Sequence, residues 1–195
     1  MTPPAGPAVE VTDLDLVVRA REHDDVAAFE ELVRRHRDRA YRVALRVCRD
    51  PTAAEDVAQE AFVRVWRGLH GFRADSQFST WLYRIVTNLA LNRVTRRRED
   101  PTGDVPEPAG RHLDPAVRAE DSERLGTALQ ALDALTPEQR ACFVLREVEG
   151  LSYEELAEVL DTTVAGVKGR LFRAREELAT ALRAYDTGRT EEVAP

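Results

Sequence analysis

The sequence predicts an all-α protein of two small helical domains joined by a flexible acidic linker, the second domain containing a helix-turn-helix. Three observations carry that expectation. Apolar residues recur at three- and four-residue steps along most of the 195 residues, and no segment shows the strict alternation of a strand. Between residues 99 and 120, Pro, Gly and acid replace the large apolar side chains.

The elements follow in order. Residues 1–11, rich in Pro, Ala and Gly, are expected to be a disordered tail, and residues 12–98 the first domain. It opens with a short helix near Leu14 to Arg21. Val26, Phe29, Leu32, Val33, Ala40, Ala44 and Val47 then keep the period of an amphipathic helix. After Asp50-Pro51, Val57, Ala58, Ala61, Phe62, Val65, Trp66 and Leu69 keep another. Thr52 with Glu55 reads as its capping box, and Gly68 with Gly71 as its end. Phe78, Trp81, Leu82, Ile85, Val86 and Leu89 mark the core stripe of a third long helix. The linker spans 99–120, the second domain 121–185 and a polar, disordered tail 186–195. In the second domain Leu125, Leu129, Leu132 and Leu135 share a helical register. Thr136-Pro137-Glu138-Gln139 caps a helix that carries Cys142, Phe143, Leu145 and Val148 inward and stops at Gly150.

The formal net charge of −7 conceals segregation. From Arg73 to Arg98 six arginines face one aspartate, and Lys168, Arg170, Arg173 and Arg175 are unopposed. Acid gathers elsewhere, with eight acids against two arginines from Glu99 to Glu123 and four acids without a base from Asp50 to Glu60. No apolar run approaches the roughly 20 residues that span a bilayer, and MTPPAGPAVEV lacks a signal-peptide pattern, so the expected location is the bacterial cytoplasm. Cys48 and Cys142 lack metal-ligand spacing and read as core residues; no metal or cofactor is expected.

Two segments carry chemistry. FRADSQFSTWLYRIVTNLALNRVTRRR (Phe72 to Arg98) opens on bunched aromatics, four of the chain's twelve, and closes on clustered arginines. Such a composition suits unpaired nucleic acid: an unstacked base regains about 1–3 kcal/mol on a ring, and arginines follow phosphates. Arg84, Asn88 and Asn92 recur at four-residue steps on one exposed stripe, with Arg96 and Arg97 beyond. Phe72 is expected to offer a ring to a base. The second segment, LSYEELAEVLDTTVAGVKGRLFRAR, reads as a helix-turn-helix. Ser152 and Glu155 cap the first helix, Asp161 holds the left-handed position of the turn, and Val164, Val167, Leu171 and Ala174 face inward. Thr163, Ala165, Gly166, Lys168, Gly169 and Arg170 are the candidate base readers, and Arg173 with Arg175 the candidate phosphate contacts. Gly166 and Gly169 are expected to permit close approach to DNA.

With DVAQEAFVRVWR (Asp56 to Arg67) in front of these two segments, the chain resembles the extracytoplasmic-function group of bacterial sigma factors from roughly Asp13 to Tyr185. The resemblance implies a first domain that helps melt the promoter about 10 base pairs upstream of the start and captures a flipped base, with Asn88 at the contacting position. It implies a second domain that reads the −35 duplex. The helix bearing DVAQEAF would dock on the clamp of the largest subunit of core RNA polymerase through Asp56, Gln59 and Glu60, the second domain on the flap of the second-largest subunit. The linker would thread the polymerase cleft. An anti-sigma partner, possible at a membrane, is also implied.

Two other readings compete. A free-standing helix-turn-helix regulator would bind duplex DNA as a dimer, but no heptad seam offers a dimer interface and the first domain is left unexplained. An all-α nucleotide hydrolase would hold Mg²⁺ on Glu55, Asp56 and Glu60, but the neighbouring helix presents mainly arginines and no phosphate-binding loop is present. The chain is therefore expected not to be an enzyme.

Overall fold

The computed structural model describes residues 11–99 and 131–192, with side chains through Arg97 in the first stretch and Arg183 in the second. The expected linker falls almost wholly within residues 100–130, and Leu125, Leu129 and the N-terminal tail through residue 10 also lie outside the described residues. Seven α-helices are described: α1 Asp13–Glu22, α2 Val26–Cys48, α3 Pro51–Gly68, α4 Phe78–Glu99, α5 Pro137–Glu147, α6 Tyr153–Val159 and α7 Val164–Glu192. Two 3-10 turns, Leu69–Gly71 and Leu132–Ala134, complete the described elements, and no strand occurs among them.

Side-chain chemistry sets the helix starts. Thr12 and Asp15 form a capping box on α1, Thr136 and Gln139 on α5, and Ser152 and Glu155 on α6. The start of α3 differs from the sequence expectation. Asp50, not Thr52, is its N-cap, accepting from the amide of Ala53, and Pro51 takes the first helical position. Proline has no N–H to satisfy there and its φ is already helical, so the Asp-Pro pair outcompetes the Thr-Glu pair. The last helix also runs past Tyr185 to Glu192. Residues 176–183, EELATALR, contain six strong helix formers that extend it without a break.

In the first domain α2, α3 and α4 pack as a three-helix bundle with α1 laid against α2. Leu32, Val43, Val47, Val65, Leu82 and Val86 are fully buried at its centre. Each contributes roughly 1.5–3 kcal/mol relative to an exposed side chain. His36 is buried on α2, its Nε2 2.6 Å from Asp13 of α1 and its ring 5.1 Å from that of Phe78 on α4, so one residue ties three helices. In the second domain α5 packs on α7, and α6 on both.

The two domains also pack on each other. α5 lies along α2 and α6 against α4, so Val47 and Leu82 share one apolar cluster with Ala141, Leu145 and Leu156. Polar groups lock the seam. Arg140 of α5 is buried and donates to the carbonyls of Val47, Leu132 and Leu135. Arg49 makes a two-point ion pair with Asp133 at 2.6 and 3.0 Å. The Tyr83 hydroxyl donates to Glu149 at 2.7 Å, and Thr80 to Glu155 at 3.2 Å. Burial, and then the Glu149 carboxylate, push the Tyr83 phenol well above its ordinary pKa. Both cysteines are buried, and desolvation pushes each thiol up to about 11.

Glu155 lies at the seam and in a cap. Bonds from the Ser152 backbone, the Ser152 side chain and Thr80 hold its carboxyl below the ordinary glutamate value. Its contribution is therefore present above that ordinary value and lost as pH falls through the lowered one.

Replacing Arg140 strands three carbonyls away from water. Arg140→Ala is expected to cost about 3 kcal/mol or more of stability, read as a lowered urea midpoint, because each unpaired buried acceptor costs about 1–3 kcal/mol. An unchanged midpoint would show those carbonyls to be solvated.

Candidate nucleic-acid interface

The long helix α4 turns the predicted stripe outward. Arg84, Asn88, Asn92 and Arg96 are all exposed, along the side opposite Val86 and Ala90, which are buried. An asparagine amide offers both a donor and an acceptor, and arginines on either side of the pair add cationic charge without a carboxylate partner among the described residues. Arg97 differs: its guanidinium is 2.8 Å from Asp50, the cap of α3, so it holds the helix ends together. Arg93 is likewise bound to Asp56 at 2.9 Å.

Phe72 does not offer a stacking face. Its side chain is only 6 % exposed, with ring centroids 4.9 Å from Trp81 and 6.4 Å from Phe78. The apolar gain of closing the aromatic cluster over the end of α3 wins over keeping a large ring in water. Arg21 donates to the Phe72 carbonyl at 3.2 Å, pinning the start of the loop. The cluster is thus a floor under the loop 73–77, where Arg73, Ala74, Asp75 and Gln77 are exposed and Ala74 takes a left-handed φ of 58°.

The helix-turn-helix is formed by α6, the turn 160–163 and α7. Asp161 takes φ 47°, the left-handed conformation expected of it. The Thr163 hydroxyl accepts from the Gly166 amide at 3.1 Å and so caps α7. Val167, Leu171 and Ala174 are buried, whereas Thr163, Ala165, Lys168 and Arg173 are exposed and Gly166, Gly169 and Arg170 half-buried. The Lys168 ammonium lies 5.6 Å from the centroid of Tyr153, on whose ring Arg146 also sits at 4.7 Å. Arg175 is bound to Glu147 at 2.6 Å and braces α7 on α5.

Two features here escape the sequence reading. Phe172 is 66 % exposed on α7, four residues beyond Lys168. Its missed signal is its place one residue past the buried Leu171, about 100° around the helix from the apolar stripe. Gly166 has a local explanation that replaces close approach to DNA. A β-carbon there would stand 2.7 Å from the Thr162 hydroxyl oxygen. Beside Gly169 the nearest atoms are those of the Arg173 guanidinium at 3.7 Å, so that position stays open.

On α3, Asp56, Gln59 and Glu60 are exposed as expected, but Asp56 is paired with Arg93 and Glu60 with Arg64. The same pairing occupies two of the three carboxylates weighed as Mg²⁺ ligands, and among the described residues no group of three metal-binding side chains converges. A shallow groove of about 400 Å³ lies nearby, lined by Val26, Phe29, Glu30, Val33 and Trp66. Val26 and Trp66, expected in the core, are exposed there. On α2 the buried positions 28, 32, 36 and 40 leave 26, 29 and 33 as a second apolar stripe, offset by about 100°.

Two family models cover this arrangement. The Sigma-70 region 2 model matches residues 32–99 and the Sigma-70 region 4 model residues 125–178. The chain belongs to the extracytoplasmic-function sigma factors of the sigma-70 family. The sigma factor is 42% identical over 160 residues to "ECF RNA polymerase sigma factor SigE" of Mycolicibacterium smegmatis, covering 77% of this chain and 60% of that one. It is 38% identical over 181 residues to the "RNA polymerase sigma-H factor" of Pseudomonas aeruginosa, covering 87% and 93%. The "ECF RNA polymerase sigma-E factor" of Escherichia coli is 36% identical over 191 residues, with the same coverage.

Solved structures share the fold of this sigma factor. CnrH in complex with the cytosolic domain of CnrY matches with a TM-score of 0.66 at 29% identity, covering 88% of this chain and 97% of that one. The sigma factor RpoE in complex with the anti-sigma factor NepR from Bartonella quintana matches with a TM-score of 0.67 at 24% identity, covering 80% and 96%. No described helix of the sigma factor is long and apolar enough to cross a membrane.

The Gly166 geometry is testable. Gly166→Ala gains about 1 kcal/mol of helix propensity but crowds Thr162, and overpacking costs about 1–3 kcal/mol. The single variant is expected to melt at a lower temperature than the parent, and Thr162→Ala with Gly166→Ala to recover or exceed it. Equal melting of all three would remove the contact as the reason for the glycine.

Proposed function

We propose that this sigma factor binds core RNA polymerase and directs promoter-specific transcription initiation, the first domain acting on opened strands and the second on duplex. The observation that carries this reading is the outward stripe Arg84, Asn88, Asn92 and Arg96 on one helix, joined in one chain to a helix-turn-helix with a basic outer face. Few activities need both surfaces at once. Its relatives are named as RNA polymerase sigma factors, which supports the same reading.

In the first domain Asn88 holds the Watson–Crick edge of a base drawn from the non-template strand at the −10 element, Asn92 supports it, and Arg84 and Arg96 follow the phosphates. Phe72 acts beneath the loop, keeping its backbone in place for the extruded nucleotide. In the second domain α7 enters the major groove of the −35 element with Thr163, Ala165, Lys168 and Arg170 toward the bases and Arg173 toward the backbone. Phe172 adds an apolar contact of the kind that thymine methyl groups accept. Gly169 leaves room for the DNA backbone.

Polymerase docking uses Asp56, Gln59 and Glu60 of α3 on the clamp of the largest subunit, and the second domain on the flap of the second-largest. On binding, Asp56 and Glu60 exchange their intramolecular arginines for those of the partner, which makes docking salt-sensitive. An anti-sigma factor of the kind bound to the Bartonella quintana protein regulates it in the cytoplasm, or holds it at the membrane. No cofactor takes part.

Reconstitution with core polymerase tests the function: mapped start sites are expected at a discrete promoter set, whereas palindrome binding without polymerase would favour a free-standing regulator. Asn88→Ala is expected to reduce open-complex formation tenfold or more while leaving polymerase affinity within twofold; equal effects on both would deny it a base contact. Arg170→Ala should weaken −35 duplex binding by about 1–3 kcal/mol and relax selectivity at one position. A uniform loss across sequences, with a shallower salt dependence, would make Arg170 a phosphate contact instead.

A further inference from the structure

We propose that the free sigma factor is self-closed: its second domain occupies the α2–α4 face of the first, and this closed form cannot engage a two-element promoter. The inference rests on the function proposed above and adds a regulatory contact to it.

The geometry carries it. Asn88 lies two helical turns from Thr80, about 12 Å along α4. Thr80 is bonded to Glu155 at 3.2 Å, Glu155 is two residues from Tyr153 on α6, and Lys168 of α7 stands 5.6 Å from the Tyr153 ring. With side-chain lengths added, the strand-binding stripe and the start of the reading helix lie within about 40 Å of each other along this path. The −10 and −35 elements are about 25 base pairs apart, on the order of 85 Å at 3.4 Å per base pair. One molecule in this arrangement reaches one element and misses the other.

Electrostatics add a second block. A cleft of about 680 Å³ separates the loop 74–79 from α6, and Glu154, Glu155 and Glu158 of α6 line its far wall. A single strand approaching the loop meets these carboxylates, whose charge opposes its phosphates. The seam itself consists of side chains that serve no role in either DNA contact: Arg140 on the Val47 carbonyl, Arg49 on Asp133 and Glu149 accepting from Tyr83. Opening exposes these groups together with the Leu145 and Leu156 side of the shared apolar cluster, so polymerase and promoter must offset that loss.

A reversible tether tests the inference. In Arg49→Cys with Asp133→Cys, a short bis-methanethiosulfonate linker joins the domains at a pair that is partly exposed in the parent, with relative side-chain exposures of 26% and 50%. The native Cys48 and Cys142 are buried and stay unmodified. The linked full-length chain is expected to lose at least tenfold in transcription from a two-element promoter with core polymerase, and dithiothreitol to restore it. Glu149→Ala, which loosens the seam and touches no proposed DNA contact, is expected to raise transcription severalfold at limiting sigma factor. Equal transcription by linked and reduced chains, or no gain from Glu149→Ala, overturns self-closure while leaving the functional reading intact. A parent chain that starts no transcripts overturns the functional reading, and self-closure with it.

Discussion

A guanidinium taken out of water must find acceptors, and Arg140 finds three backbone carbonyls, one on α2 and two at the entry to its own domain. This constraint fixes how the second domain sits. The Val47 carbonyl belongs to the last turn of α2, where helix carbonyls have no intrahelical partner, so one arginine answers the needs of two chain segments at once. Arg49, left-handed at the end of the same helix, reaches Asp133 from the neighbouring position. Around these two contacts the apolar sides of α2 and α5 close without leaving a buried charge unpaired.

Function is then divided between faces. The inward face of α4 carries Thr80 and Tyr83 to the second domain, while the outward face carries Arg84, Asn88 and Asn92, so one helix serves both packing and recognition. On α7 the buried row Val167, Leu171 and Ala174 anchors a helix whose other side is basic. The acids that lower the net charge are placed where they cap helices, pair with arginines or line the cleft beside α6, leaving the proposed DNA contacts cationic.

Much of this was legible in the sequence, because helical periods, capping boxes and charge segregation are local. Ser152 with Glu155 and Thr136 with Gln139 announced their helices, and Asp161 its left-handed turn. What escaped depended on distant partners. Phe72 looked like an exposed ring until Trp81 and Phe78 were seen to bury it, and Arg97 looked free until Asp50 was seen beside it. The groove at Val26 and Trp66 was hidden because an apolar residue at helical spacing reads as core whether or not a neighbour covers it. At α3 two local signals competed, and the proline at the first position decided for Asp50. The interdomain seam had no sequence signature, since it joins residues up to 93 positions apart.

The central claim is that one chain reads two separated promoter elements, and does so by moving its domains apart. Energy transfer between dyes on Arg37→Cys of α2 and Thr180→Cys of α7, both exposed sites, measures that separation directly. High transfer in the free sigma factor, falling sharply when core polymerase and promoter DNA are added together, is the predicted result. Transfer that stays high in a transcribing complex, or is already low in the free chain, would contradict the account.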